Sequence, residues 1–245
     1  MKKTICQLEN IYLKSFPAIS THEIGGFFVN LSKNLAPKYN CYVPLNFTED
    51  CDVEKNIAAC EEFFYENNQI PVAKVLSNTP HKLSHILEKR GYGFINKYYV
   101  MELDFKKFHH RPIIVKNIHY NGVINDEIID AYLNITGENK EAIYKVLYNV
   151  KKEAICAYYT KSNLIKGTAI SAICEDLINI AYVESCETSE TEIRQAVVDK
   201  ILQKAHERKL SHAYVRVKST NRQMVEMYQG LGFETVYSYI YRQKN

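Results

Sequence analysis

The 245 residues carry 31 Lys and Arg against 28 Asp and Glu, a formal charge of +3, and 46% are hydrophobic. A near-balanced charge with no long basic run excludes a dedicated nucleic-acid binder, and no apolar run approaches the roughly 20 residues that a bilayer crossing needs. Seven cysteines, an odd number with no C-x-x-C pair, predict reduced thiols in a core and neither a disulfide framework nor a zinc site. The opening MKKTICQLEN follows its two lysines with a polar, acid-containing stretch and does not read as a signal peptide. A soluble, cytoplasmic protein is expected, with no nucleic-acid or membrane partner and with room for one large core or two small ones.

In chain order, KLSHILEKRGYGFINKYYVMEL (Lys82 to Leu103) predicts a helix, a Gly-aromatic turn and a strand. The charged, Pro-containing FKKFHHRPI (Phe105 to Ile113) interrupts that pattern and places a domain boundary between 1–105 and 106–245. His109 and His110 lie in this linker without a second ligand pair at metal-binding spacing, so no metal site is expected. DEIIDAYL and EAIYKVLYNV space their apolar residues as helices, and AICAYYT reads as a strand. Lys161 to Ser185 contains two β-rich runs broken at Glu175-Asp176, a strand hairpin. EIRQAVVDKILQKAHERK is a helix, HAYVRV a strand, STNRQMVEMYQGLG a helix ended by Gly232, and FETVYSYIYR a final strand. Setting Gly91 under Gly232, an offset of 232 − 91 = 141, pairs Tyr92 with Phe233, Leu87 with Tyr228 and Tyr98 with Tyr239. The helix-Gly-aromatic-strand ending is thus used twice, as expected of two copies of one unit.

STNRQMVEMYQGLGF resembles the C-terminal signature of the GNAT superfamily of acyl-CoA-dependent N-acyltransferases, with Asn221, Tyr228, Gly232 and Phe233 in the patterned places. The likeness runs from about Ile113 to the end, and the first half resembles a degenerate copy with Leu87 and Pro80 where the second has Tyr228 and Asn221. It implies an α/β fold of two GNAT-like units, mixed and mostly antiparallel sheets flanked by helices. It also implies acetyl-CoA as acyl donor and a primary amine, on a small molecule or a protein, as acceptor. In such a site Tyr228 protonates the departing thiolate. Asn221 opens the helix and bonds pantetheine or local backbone, and Tyr182, Val183 and Glu184 lie on the splayed strand that holds pantetheine. Glu184 is the candidate base, ahead of Glu153 and Asp176, although a solvated carboxylate is the plainer role for it. The backbone of Glu192, Ile193, Arg194 and Gln195 stands where the family cradles the CoA pyrophosphate.

There the sequence departs from the pattern. Counting back from Ala196, the two loop glycines of the family fall on Glu192 and Arg194 and its leading arginine on Ser189. Glu184, Glu187 and Glu190 crowd the same stretch. A carboxylate about 5 Å from a phosphate charge costs roughly 3 kcal/mol at an effective dielectric near 20. Two readings stay open: an N-acyltransferase with a modified CoA loop, and a catalytically silent ligand-binding or regulatory protein on the same fold.

Overall fold

The computed structural model describes residues 3–32, 36–46, 52–150, 153–186 and 190–245. Helix α1 (Ile5–Ser15) leads into strands β1 (Ser20–Ile24), β2 (Phe27–Leu31) and β3 (Cys41–Pro44). Helix α2 (Val53–Glu66), strand β4 (Val72–Leu76), helix α3 (His81–Lys89) and strand β5 (Tyr92–Asp104) complete the first half. The second half adds β6 (Ile118–Asn121), α4 (Asp126–Thr136), α5 (Lys140–Tyr148), β7 (Ala154–Lys161), β8 (Leu164–Cys174) and β9 (Leu177–Ser185). It closes with α6 (Glu190–Glu207), β10 (His212–Lys218), α7 (Arg222–Gly230) and β11 (Glu234–Lys244). Each segment predicted from Lys82 onward forms the element expected of it.

Local chemistry fixes the ends. Thr4 Oγ1 accepts from the Gln7 N–H while Gln7 Oε1 accepts from the Thr4 N–H, a capping box that starts α1. Asn125 and Asn139 cap α4 and α5 with their side-chain oxygens, which accept from the Ile128 and Ala142 N–H groups.

All eleven strands join one sheet, in the order β1-β2-β3-β4-β11-β5-β10-β9-β8-β7-β6. Two expected sheets are therefore one, because the last strands of the halves are exchanged. β11 lies between β4 and β5, and β5 lies between β11 and β10. β3 runs parallel to β4 and β9 to β10, while the other neighbours are antiparallel.

The seam has an approximate two-fold axis. Tyr98 lies opposite Tyr239, the pair that the 141-residue offset relates (239 − 98 = 141), and their rings stack with centroids 5.3 Å apart and planes 11° apart. Ile95 and Val236, also 141 apart, are the unpaired residues of the two register shifts in this ladder. Leu76 faces Tyr239 and Lys218 faces Tyr98, which makes Lys74 the counterpart of Arg216.

Helices α2, α3, α6 and α7 cover one face of the sheet, and α1, α4 and α5 the other. On the second face α1 lies across the seam and carries Glu9, which is 0% exposed, onto Lys74 and Arg216. Tyr237 donates to Glu9 at 2.5 Å, and the Arg216 guanidinium sits 3.5 Å from the Tyr12 ring centre. Burial acts to raise the Glu9 carboxyl, but the two cations outweigh it and hold the group below the usual range. A buried carboxylate with two cationic partners fixes where α1 docks, since any other register would strand a charge.

Candidate active site

The site is built on a divergence of two strands. β9 and β10 pair from Leu177 to Ile180 against His212 to Val215, and beyond these residues each keeps only its outer partner. Ala181 pairs with Ile170 and Glu184 with Thr168, so Tyr182 and Val183 together face the single residue Ala169. This bulge holds Tyr182 at φ 51°, a left-handed conformation costly for a bulky residue. It also sends the two side chains to opposite faces. Val183 enters the core under α6 and α7, while Tyr182 packs edge-on against Phe16 and Tyr132 and shares a 2.5 Å hydrogen bond with the Tyr39 hydroxyl.

Helix α7 brings up the phenol. Asn221 is its N-cap, accepting from the Met224 N–H at 3.2 Å, which is the local-backbone role allowed for it. Tyr228 is 4% exposed and meets the Phe233 ring edge-on at 5.4 Å. The Phe233 N–H bonds the Tyr228 carbonyl, and Gly232 takes φ 96° to make that turn. Burial first, and the charge of Glu184 second, push the Tyr228 phenol above its ordinary range, so it is protonated at neutral pH.

Helix α6 supplies the charged wall. Glu192 and Arg194, placed by sequence in a phosphate loop, lie in its first turns, and Glu192 is exposed. Glutamates near a helix N-terminus complement its dipole, which explains helix where the family pattern expects glycine. Arg194 pairs with Glu184 at 2.9 Å and with Glu190 at 3.1 Å. Burial raises the Glu184 carboxyl and Arg194 partly offsets the effect. Ile193 packs on Gly167, where an added Cβ would stand 2.5 Å from Ile193 Cγ2. Gln195 points along the helix to Asp199 and hydrogen-bonds it. Gln223 donates to Thr191 and ties the starts of α6 and α7 together. Ser189 and Glu187, part of the same expected loop, lie outside the described residues.

The structure thus gathers Tyr228, Glu184 and Arg194, with Tyr182 and Val183 at the bulge and Asn221 at the cap. Gln195 faces away toward Asp199. Glu153 is drawn off by Arg208 at 3.3 Å, and Asp176 sits in the β8–β9 turn at the opposite end of β9 from Glu184. His110 Nε2 lies 3.1 Å from His206 Nδ1, and no group of three metal-ligating side chains occurs among the described residues. Among them, no helix is long and apolar enough to cross a membrane.

Sequence reading missed a second layer of the site. Lys38, Tyr39, Tyr132 and Glu138 surround Tyr182, and Glu138 accepts from the Tyr132 hydroxyl at 2.7 Å. These residues come from the first half and from α4 and its C-terminal turn, and no motif links them.

No protein-family model matches the chain, and no curated protein matches it. Solved structures do. A GCN5-related N-acetyltransferase from Kribbella flavida aligns with 100% of this chain and 96% of its own, at 12% identity and a TM-score of 0.75. A functionally unknown conserved protein from Staphylococcus epidermidis aligns over 99% and 98% at 12% identity and a TM-score of 0.65. A tandem GNAT protein from the clavulanic acid biosynthesis pathway, solved without AcCoA, aligns over 76% and 67% at 12% identity and a TM-score of 0.57. The chain has the fold of the GNAT acetyltransferases.

Proposed function

We propose that the chain is an N-acyltransferase that moves an acyl group, in the first instance acetyl, from its CoA thioester to a primary amine. The observation that carries this reading is the buried Tyr228 phenol, on which the charge of Glu184 acts, with Glu184 on β9 beyond its last pairing with β10. Unpaired backbone of the diverging strands suits the amide-rich pantetheine arm. Tyr228, protonated at neutral pH, gives its proton to the leaving thiolate, and Glu184, with its carboxyl raised by burial, accepts one from the attacking ammonium. The pyrophosphate end fits less well, because Glu190 and Glu192 occupy the first turn of α6 and Arg194 is already shared by two carboxylates. Weak CoA binding with retained acid chemistry is the expected result. We further propose two units, 1–105 and 106–245, the first lacking the acid because Leu87 stands where the second has Tyr228.

Calorimetry with CoA, followed by turnover of acetyl-CoA against a panel of primary amines, tests the reading. Tyr228→Phe should leave affinity within about twofold and lower turnover by roughly 10²-fold or more, since the phenol acts on the departing group. The pairing of Arg194 with Glu184 and Glu190 favours a second reading, a silent ligand-binding or regulatory protein. Absence of CoA binding at millimolar concentration would establish that one instead.

A further inference from the structure

We propose that Lys38 is a self-acylation site, its ε-amine serving as an intramolecular acceptor at the β9–β10 divergence; this rests on the N-acyltransferase reading above. Lys38 belongs to a short 3₁₀ turn, Pro37–Tyr39, contributed by the first half of the chain. Its Nζ lies 4.6 Å from the Tyr39 ring centre and 4.8 Å from that of Tyr182, the residue held in the bulge of β9. Among the described residues it closes no ion pair, although the carboxylates of Glu138 and Glu184 both act on it. A lysine held by two ring faces and left without a carboxylate partner is unusual for a structural role, where such an amine closes a salt bridge. Burial lowers the ammonium pKa further than Glu138 and Glu184 restore it, which makes the neutral nucleophile easier to reach.

Position supplies the second argument. Glu184 is felt on one side by Tyr228 and Arg194 and on the other by Lys38, Tyr132 and Glu138. The charge of one carboxylate therefore acts on both the acid and the amine, and Glu184 lies on β9 beyond the last residue that pairs with β10. In the step, the Lys38 nitrogen lone pair attacks the thioester carbonyl carbon, a C–N bond forms and the C–S bond breaks. The ammonium proton passes to Glu184, and the CoA thiolate takes its proton from Tyr228. The products are an N-acyl lysine and free CoA.

The test uses the full chain incubated with acetyl-CoA, digested and followed by peptide mass spectrometry over time. The expected result is acetylation at Lys38 at least about tenfold faster than at exposed lysines such as Lys107, and slowed about tenfold or more by Tyr228→Phe. Lys38→Arg should remove that site and leave the slow chemical background on Lys107 unchanged. If calorimetry shows CoA binding and free amines are acetylated while Lys38 is modified no faster than Lys107, self-acylation is wrong and the enzyme reading survives. Modification of Lys38 that ignores Tyr228→Phe also overturns it, because the amine is then only chemically reactive. If CoA does not bind, both ideas fall together.

Discussion

Asp199 is 7% exposed on α6, and burial lifts its carboxyl from the ordinary 3.8 to about 6 against the pull of Arg111 and the Gln195 hydrogen bond. The folded chain therefore binds more protons at this position than the unfolded chain between about pH 4 and pH 6. Stability from this group is full below that window, falls as pH rises through it, and is absent above about pH 6. Asp199→Asn removes the titration while keeping a partner for Gln195. Denaturant unfolding should show the variant more stable than wild type by about 2–3 kcal/mol near pH 7.5, with the difference closing toward pH 4. A variant no more stable at pH 7.5 would mean that Arg111 already compensates the charge. At this scale the places of Tyr228 and Asn221 on α7 were legible in the sequence because they depend on spacing along one helix. Lys38 and Glu138 were not, since they are 100 residues apart (138 − 38) and come near one another only in the folded chain.

Between elements, the closest approach that defines the site is α6 on β8. Gly167 lets Ile193 reach the strand, and a methyl group there would stand 2.5 Å from Ile193 Cγ2. Gly167→Ala should cost about 1–3 kcal/mol by overpacking and shift the start of α6, with Glu190 and Arg194, away from Glu184. Thermal unfolding of Gly167→Ala, Ile193→Ala and the double variant checks this, because the double variant should recover part of the loss if the two side chains compete for one space. Additive losses would place the strain elsewhere. The elements themselves were readable from periodicity, as with β8 and β9 broken at Glu175-Asp176. The start of α6 was read in two ways, since periodicity began a helix at Glu192. The glycine-loop pattern set Glu192 and Arg194 in a loop, whereas acidic residues suit a helix N-terminus and extend the helix through both.

For the whole molecule, the echo between Gly91 and Gly232 was visible in the sequence, but the exchange of β5 and β11 was not, because strand order is a long-range property. With its last strand replaced by the partner's, neither half has a complete sheet of its own. Residues 106–245 expressed alone would hold β10 and β11 without the strand that joins them, and residues 1–105 would hold β4 and β5 without β11 between them. Such edges are templates for aggregation. Size-exclusion chromatography should find each piece aggregated or unfolded when expressed singly and a one-to-one complex when the two are co-expressed. A monomeric, folded 106–245 would show that the exchange is dispensable.

The place of β11 also bears on how the chain comes to be folded during synthesis. β11 emerges from the ribosome after the other ten strands, yet its position is in the interior of the sheet, with β4 on one side and β5 on the other. Until translation reaches Lys244, the nascent protein cannot join β4 to β5 through their shared neighbour, and the apolar surface around Tyr98 waits uncovered. Assembly of the seam is therefore deferred until β11 has been made, and until then the uncovered edges of β4 and β5 are open to misfolding.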